Sequence, residues 1–126
     1  MKPERRLALE KNRHAIDYYD VLREAIDQAE EALNAIDSAL EDGVALSEAL
    51  AAADAPSVRR QMTDAIAEYE RRRHDSRLAM MLLGLSEGMT KSDIARAWGI
   101  SPQWAGQEVE AARRMLKSLP EQMESP

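Results

Sequence analysis

The sequence predicts an all-α protein: a long, coiled-coil-like N-terminal helical hairpin, then a C-terminal group of three short helices. Three observations carry this. No run of alternating β-branched residues occurs, Phe is absent, and aromatic residues make up 4% of the chain. Only five Gly and five Pro interrupt 126 residues. Apolar residues recur at spacings of three and four, the helical period. The expected division is 1–74 for the hairpin, 75–119 for the three-helix domain and 120–126 for a flexible tail.

The first helix is expected from about Glu4 to Glu41. Ala15, Tyr19, Leu22, Ile26, Ala29, Leu33, Ile36 and Leu40 alternate spacings of 4 and 3, a heptad seam. Such a helix would be roughly 57 Å long at 1.5 Å per residue. Asp42-Gly43 stops it. Residues 44–56 connect, with one short helix through SEALAAAD. Ser57 is expected to cap a second long helix reaching about Leu83, with the seam Val58, Met62, Ala65/Ile66 and Tyr69. It turns basic at RRRHDSR and apolar again at Leu78, Met81, Leu82 and Leu85, the first helix of the C-terminal domain. The two long helices are expected to pair antiparallel. Their seams differ in length, about four heptads against two, so part of the first seam needs another partner. A second copy of the chain is the economical one, through Tyr19, Leu22, Ile26, Leu33, Ile36 and Leu40.

The C-terminal punctuation is the most specific. Thr90 is placed to cap a helix, with Asp93 three residues on as a short capping-box acid. Ile94, Ala95 and Trp98 form an apolar face, Gly99 suits a left-handed helix end, and Ile100 points back inward. Ser101 can cap the next helix and Pro102 fits its first position. Ala105, Val109, Ala112 and Leu116 share one face of it. Two short helices joined by a Gly-containing turn make a helix-turn-helix, whose second helix can enter the major groove.

The segment EGMTKSDIARAWGISPQW resembles the DNA-binding element of LuxR-type regulators and of sigma-factor region 4. Those families carry E-G-hydrophobic-S/T, a helix ending I-A-x-x-hydrophobic-G-I-S, then P-x-x-V. Glu87, Gly88, Met89, Thr90, Ile94, Ala95, Trp98, Gly99, Ile100, Ser101 and Pro102 match, with Val109 at the later core position. The resemblance covers roughly residues 75–118 and implies duplex DNA binding. Ala105 stands where a β-branched residue is expected and Trp98 replaces Leu. Gly106 falls inside the second helix, at about 1 kcal/mol relative to Ala. Glu108 and Glu110 are expected to bring negative charge near a phosphate surface.

Charge is unevenly spread. The chain is −6 overall, but residues 1–56 are −7 and residues 71–119 are +4. The candidate DNA-binding region is thus the basic part of an acidic protein, and the local balance governs phosphate affinity. Gln103, Trp104 and Gln107 are the expected base contacts: Gln can bond adenine N6 and N7, and Trp can meet a thymine methyl. Lys91, Arg96, Ser101, Arg113, Arg114 and Lys117 are expected on phosphates. Arg71, Arg72, Arg73 and Arg77 could extend the backbone contact, pair with acids of the first helix, or be solvated. Trp98 and Met80, Met81, Met89 and Met115 read as core.

Other chemistry finds no motif. His14 and His74 lack metal-spaced partners, and the carboxylates of the first helix read as a solvated face without a Glu-x-x-His pair. Gly84 and Gly88 lack the P-loop Lys and Ser/Thr, and neither a Cys nucleophile nor G-x-S-x-G occurs. No enzyme, cofactor, metal or small-molecule ligand is expected. No apolar run reaches membrane-spanning length, the N-terminus lacks an apolar signal core, and zero Cys suits a reducing cytoplasm. The sequence therefore predicts a cytoplasmic transcriptional regulator reading double-stranded DNA as a homodimer. The rival is a coiled-coil module with a degenerate helix-turn-helix, binding RNA polymerase, a sigma factor or another partner. RNA binding by the basic helix is a third reading.

Overall fold

The structure, a computed structural model, describes residues 1–118; the tail expected over 120–126 lies outside them. The described residues form helices and no strand: α1 Pro3–Asp17, α2 Tyr19–Glu41, α3 Leu46–Ala52, α4 Ala55–Ser86, α5 Lys91–Trp98 and α6 Pro102–Lys117. The protein is all-α, as the missing strand signals predict.

The long first helix expected over about 4–41 is present from Pro3 to Glu41, interrupted only at Tyr18, which itself stays in the right-handed helical region at φ −84°, ψ −13°. The two parts belong to different compact units: residues 17–71 form one, and residues 1–16 with 72–118 form the other. This division differs from the boundary expected at 74/75. Residues 1–16, assigned to the hairpin by their continuity with the heptad helix, pack with the C-terminal helices instead.

In the 17–71 unit, α2 and the first part of α4 run antiparallel. The Tyr19 and Tyr69 rings meet edge to face with centroids 5.4 Å apart and hydroxyls 3.3 Å apart. At the other end Leu33 and Ile36 share a groove with Ala55, Val58 and Met62. The α2 residues turned toward α4 include Ala25, Ala29 and Ala32 beside Ile36. Small side chains let the helices approach but bury little. α4 starts at Ala55, two residues before the expected Ser57 cap. Pro56 tolerates the first turn because no intrahelical N–H partner is lost there.

The other unit has a real core. Leu7 and Ala8 of α1 pack with Leu78, Ala79 and Leu82 of α4 and Ala112 of α6. Met81 packs with Ile94 and Ala95 of α5 and Ala105 and Val109 of α6. These two clusters explain the recruitment of α1. The stretch LAMMLLGL is apolar nearly all round, and such a helix must be covered on more than one side. α5 and α6 cover one side and α1 another. Antiparallel contacts tie α1 down: Arg5 pairs with Glu87, Ser76 Oγ donates to Asn12 Oδ1 at 3.3 Å, and Arg72 donates to the His14 carbonyl at 2.9 Å. The methionines read as core are there: Met81 is fully buried, and Met80, Met89 and Met115 pack at the cluster edges.

Candidate functional site

The site is built on α5, the turn after it, and α6. Thr90 and Asp93 close a reciprocal capping box. Thr90 Oγ1 accepts the Asp93 N–H at 3.1 Å, and Asp93 Oδ2 accepts the Thr90 N–H at 2.9 Å. The bond from the Thr90 backbone, then that from its side chain, holds the Asp93 carboxyl below the usual carboxylate range, and Arg96 adds to this. Gly99 ends α5 at φ +67°, a conformation that costs an L side chain roughly 1–2 kcal/mol. The Ile100 N–H bonds back to Ala95 O at 3.0 Å and the Gly99 N–H to Arg96 O at 3.3 Å, closing a Schellman turn that folds Ile100 onto the core. Ser101 then caps α6, its Oγ accepting the Trp104 N–H at 3.0 Å, with Pro102 in the first turn.

These caps fix which face of α6 is free. Ala105, Val109 and Ala112 are fully buried. Gln103, Gln107, Glu110, Arg114 and Lys117 are exposed on the opposite face, within about 80° of one another at 3.6 residues per turn. Gly106 borders that face, and a Cβ added there would meet nothing within 4 Å. Trp104 sits at its edge, 45% exposed, with the Arg77 guanidinium 5.6 Å from its ring centroid. Trp98 and Trp104 line a cleft of about 480 Å³ with Arg73, Ser76, Met80 and the Gly99–Ile100 turn. Trp98 thus packs at the core edge and also walls this cleft.

The structure corrects the charge layout in two places. Glu108 does not face outward. Its side chain is 8% exposed, and its carboxylate holds Arg77 Nη2 at 2.5 Å and His74 Nε2 at 3.1 Å. Arg77, expected as a possible phosphate contact, is correspondingly committed inward at 16% exposure. Its register explains this: 31 residues apart in sequence, the two side chains meet where α6 crosses α4. Sequence reading missed the network because charged residues on helices are usually solvated.

The remaining candidates divide by their present partners. Lys91, Arg114 and Lys117 are exposed. Arg96 pairs with Asp93 at 2.5 Å and Arg113 with Glu110 at 2.9 Å, both on the surface, where such pairs exchange easily for phosphate. Glu110 is therefore outward, as expected, but neutralised by a neighbour. The Ser101 oxygen is occupied as an acceptor and keeps its hydroxyl hydrogen for donation. Arg71 pairs with Glu68 within the hairpin unit, and Arg72 holds the α1 carbonyl, so both have structural work. Arg73 lines the Trp cleft.

Of the expected dimer seam, Tyr19, Ile26, Leu33 and Leu40 are exposed, whereas Leu22 and Ile36 are half-buried. Among the described residues no group of three or more His, Cys, Asp or Glu could hold a metal ion, and no helix is long and apolar enough to cross a membrane. The chain matches no protein-family model, no curated protein and no solved structure.

Proposed function

We propose that the chain is a transcriptional regulator that binds duplex DNA, with α6 as the element that enters the major groove. One observation carries the reading: α6 presents Gln103 and Gln107 outward from its first two turns, while the acid of Glu108 is folded inward onto Arg77 and His74. The outer face then carries amides that can bond adenine edges and cations that can hold phosphates. Lys91 and Arg96 on α5, and Arg113, Arg114 and Lys117 toward the end of α6, are the phosphate contacts of this reading. Ser101 donates its hydroxyl to a phosphate beside the α6 N-terminus. Trp104 lies against a sugar or a thymine methyl. Two copies joined through the heptad residues of α2 double these contacts, which suits a reader with few base contacts per chain.

The test is retention of mixed-sequence duplex by the full chain across a salt series. Engagement of three to five phosphates gives a log–log slope of about −3 to −4.5 per chain. Gln103→Ala with Gln107→Ala relaxes sequence preference; Arg113→Ala with Arg114→Ala weakens all sequences alike. No retention of any duplex at low salt overturns the proposal and leaves the protein-partner reading.

A further inference from the structure

The 17–71 unit is a hairpin without a core. Its buried apolar residues are Ala49 and Ala65, and no residue of α2 is buried. Two helices and a short third cannot hold this shape on burial so slight; units this small need a staple or a partner. The apolar side chains are present but turned outward. Tyr19, Ile26, Leu33 and Leu40 stand exposed at intervals of seven residues along one face of α2, and Leu33 is 68% exposed. The stripe spans roughly 32 Å at 1.5 Å per residue. Beside it, Leu33 shares an apolar groove of about 280 Å³ with Met62, Ile66, Thr63 and Arg59 of α4. A seven-residue period with an adjoining groove calls for knobs-into-holes packing against a helix.

We infer that this face binds its counterpart on a second copy of the chain, making a four-helix bundle in which the α2 stripe of each copy lies along α4 of the other, with the two-fold axis parallel to the helices. Area and charge both choose this occupant. Two helices about 10 Å wide over that length offer on the order of 600 Å² per copy, so the pair buries about 1,200 Å², above the ~1,000 Å² a specific interface needs. Charge selects the symmetry. Glu30 and Asp37 border the stripe on the side of α2 away from α4, and Arg59 forms the α4 lip at the level of Leu33. An axis along the helices keeps levels and exchanges lips, so Arg59 of one copy meets Glu30 or Asp37 of the other. An axis across the helices would part Arg59 from these acids and set the two Glu30 side chains near each other; Arg23, one heptad before Glu30 on the same lip, pairs with Asp20 of its own helix at 2.7 Å. Each copy offers both lips, so the contact is isologous and closes at two.

This inference deepens the pairing part of the proposed function and is independent of the DNA part. Sedimentation equilibrium of the full chain at tens of micromolar is expected to give twice the 14.1 kDa chain mass. Leu33→Glu, at an exposed position, should leave far-UV helicity unchanged and raise the dimer dissociation constant at least about a hundredfold, because two leucines leave the interface. Arg59→Glu, and separately the pair Glu30→Arg with Asp37→Arg, should each weaken self-association by about tenfold. An equimolar mixture of those two variants should recover wild-type affinity, since every cross-chain contact becomes opposite in charge. A wild-type chain of single mass, or a dimer indifferent to Leu33→Glu, overturns the surface. A dimer broken by Leu33→Glu but not restored in the mixture overturns the parallel arrangement. Retention of duplex by a single-mass chain would sink this inference and spare the DNA reading, and a dimer retaining no duplex would do the reverse.

Discussion

Glu108→Leu is the sharpest test of the site's construction. The carboxylate spends both oxygens, one on Arg77 Nη2 at 2.5 Å and one on His74 Nε2 at 3.1 Å. Removing it leaves Arg77, with only 16% of its side chain exposed and its Nε already without a hydrogen-bond partner, as an uncompensated charge. Breaking a buried pair from one side costs about 3–5 kcal/mol. The residual exposure of Arg77 puts the expected loss at the lower end, about 3 kcal/mol; His74 is 44% exposed and adds little. In a unit of about 60 described residues, each kcal/mol lowers Tm by roughly 4–8 °C, so a drop of at least about 12 °C is expected. The protein supplies its own probes: Trp98 and Trp104 both lie in this unit, and Tyr18, Tyr19 and Tyr69 all lie in the other. Urea unfolding followed by tryptophan emission therefore reads the perturbed unit. The control is Arg77→Leu with Glu108→Leu, which removes both charges and should cost less than Glu108→Leu alone. A loss under about 1 kcal/mol for Glu108→Leu, or a double variant as unstable as the sum of the singles, would refute the reasoning.

Three other outcomes follow from the same geometry. Gly106→Ala fills open space on a helix and should raise stability by about 0.4–1 kcal/mol in tryptophan-monitored unfolding; if it also weakens duplex retention, the bare backbone serves close approach to the ligand. Gly99→Ala should destabilise the same unit by about 1 kcal/mol, because φ +67° is unfavourable for a residue with a Cβ, and a neutral result would show that the turn relaxes. The Asp93 carboxyl titrates below its unfolded value, so its contribution is fully present above the unfolded pKa, near 4, and disappears as pH falls through the folded value. The stability gap between wild type and Asp93→Asn should accordingly be constant from pH 7 to 5 and close in more acidic solution; a gap that closes near neutrality would contradict the capping-box account.

Much of the candidate site is legible in residue order because it depends on local rules. Thr90, Asp93, Gly99, Ser101 and Pro102 act within a few residues of themselves, through caps and a left-handed turn that any tertiary setting would favour. The buried face of α6 follows from the spacing of Ala105, Val109 and Ala112. The direction of Glu108 does not. Its position on the wheel lies between the buried and exposed faces, and its inward turn depends on Arg77 and His74, 31 and 34 residues earlier.

The same contrast holds for the whole chain. By itself the sequence determined helices, the caps of α5 and α6 and most of the helix ends, since hydrogen bonding and apolar periodicity are settled over one or two turns. Only the tertiary structure decided that residues 1–16 cover the apolar end of α4. Likewise it alone decided that Glu108 turns from the surface of α6 inward onto Arg77 and that the heptad stripe of α2 stays open. Each of those is a choice among burial partners far apart in the chain, and the free energy that makes it depends on how whole faces fit rather than on the order of neighbouring residues.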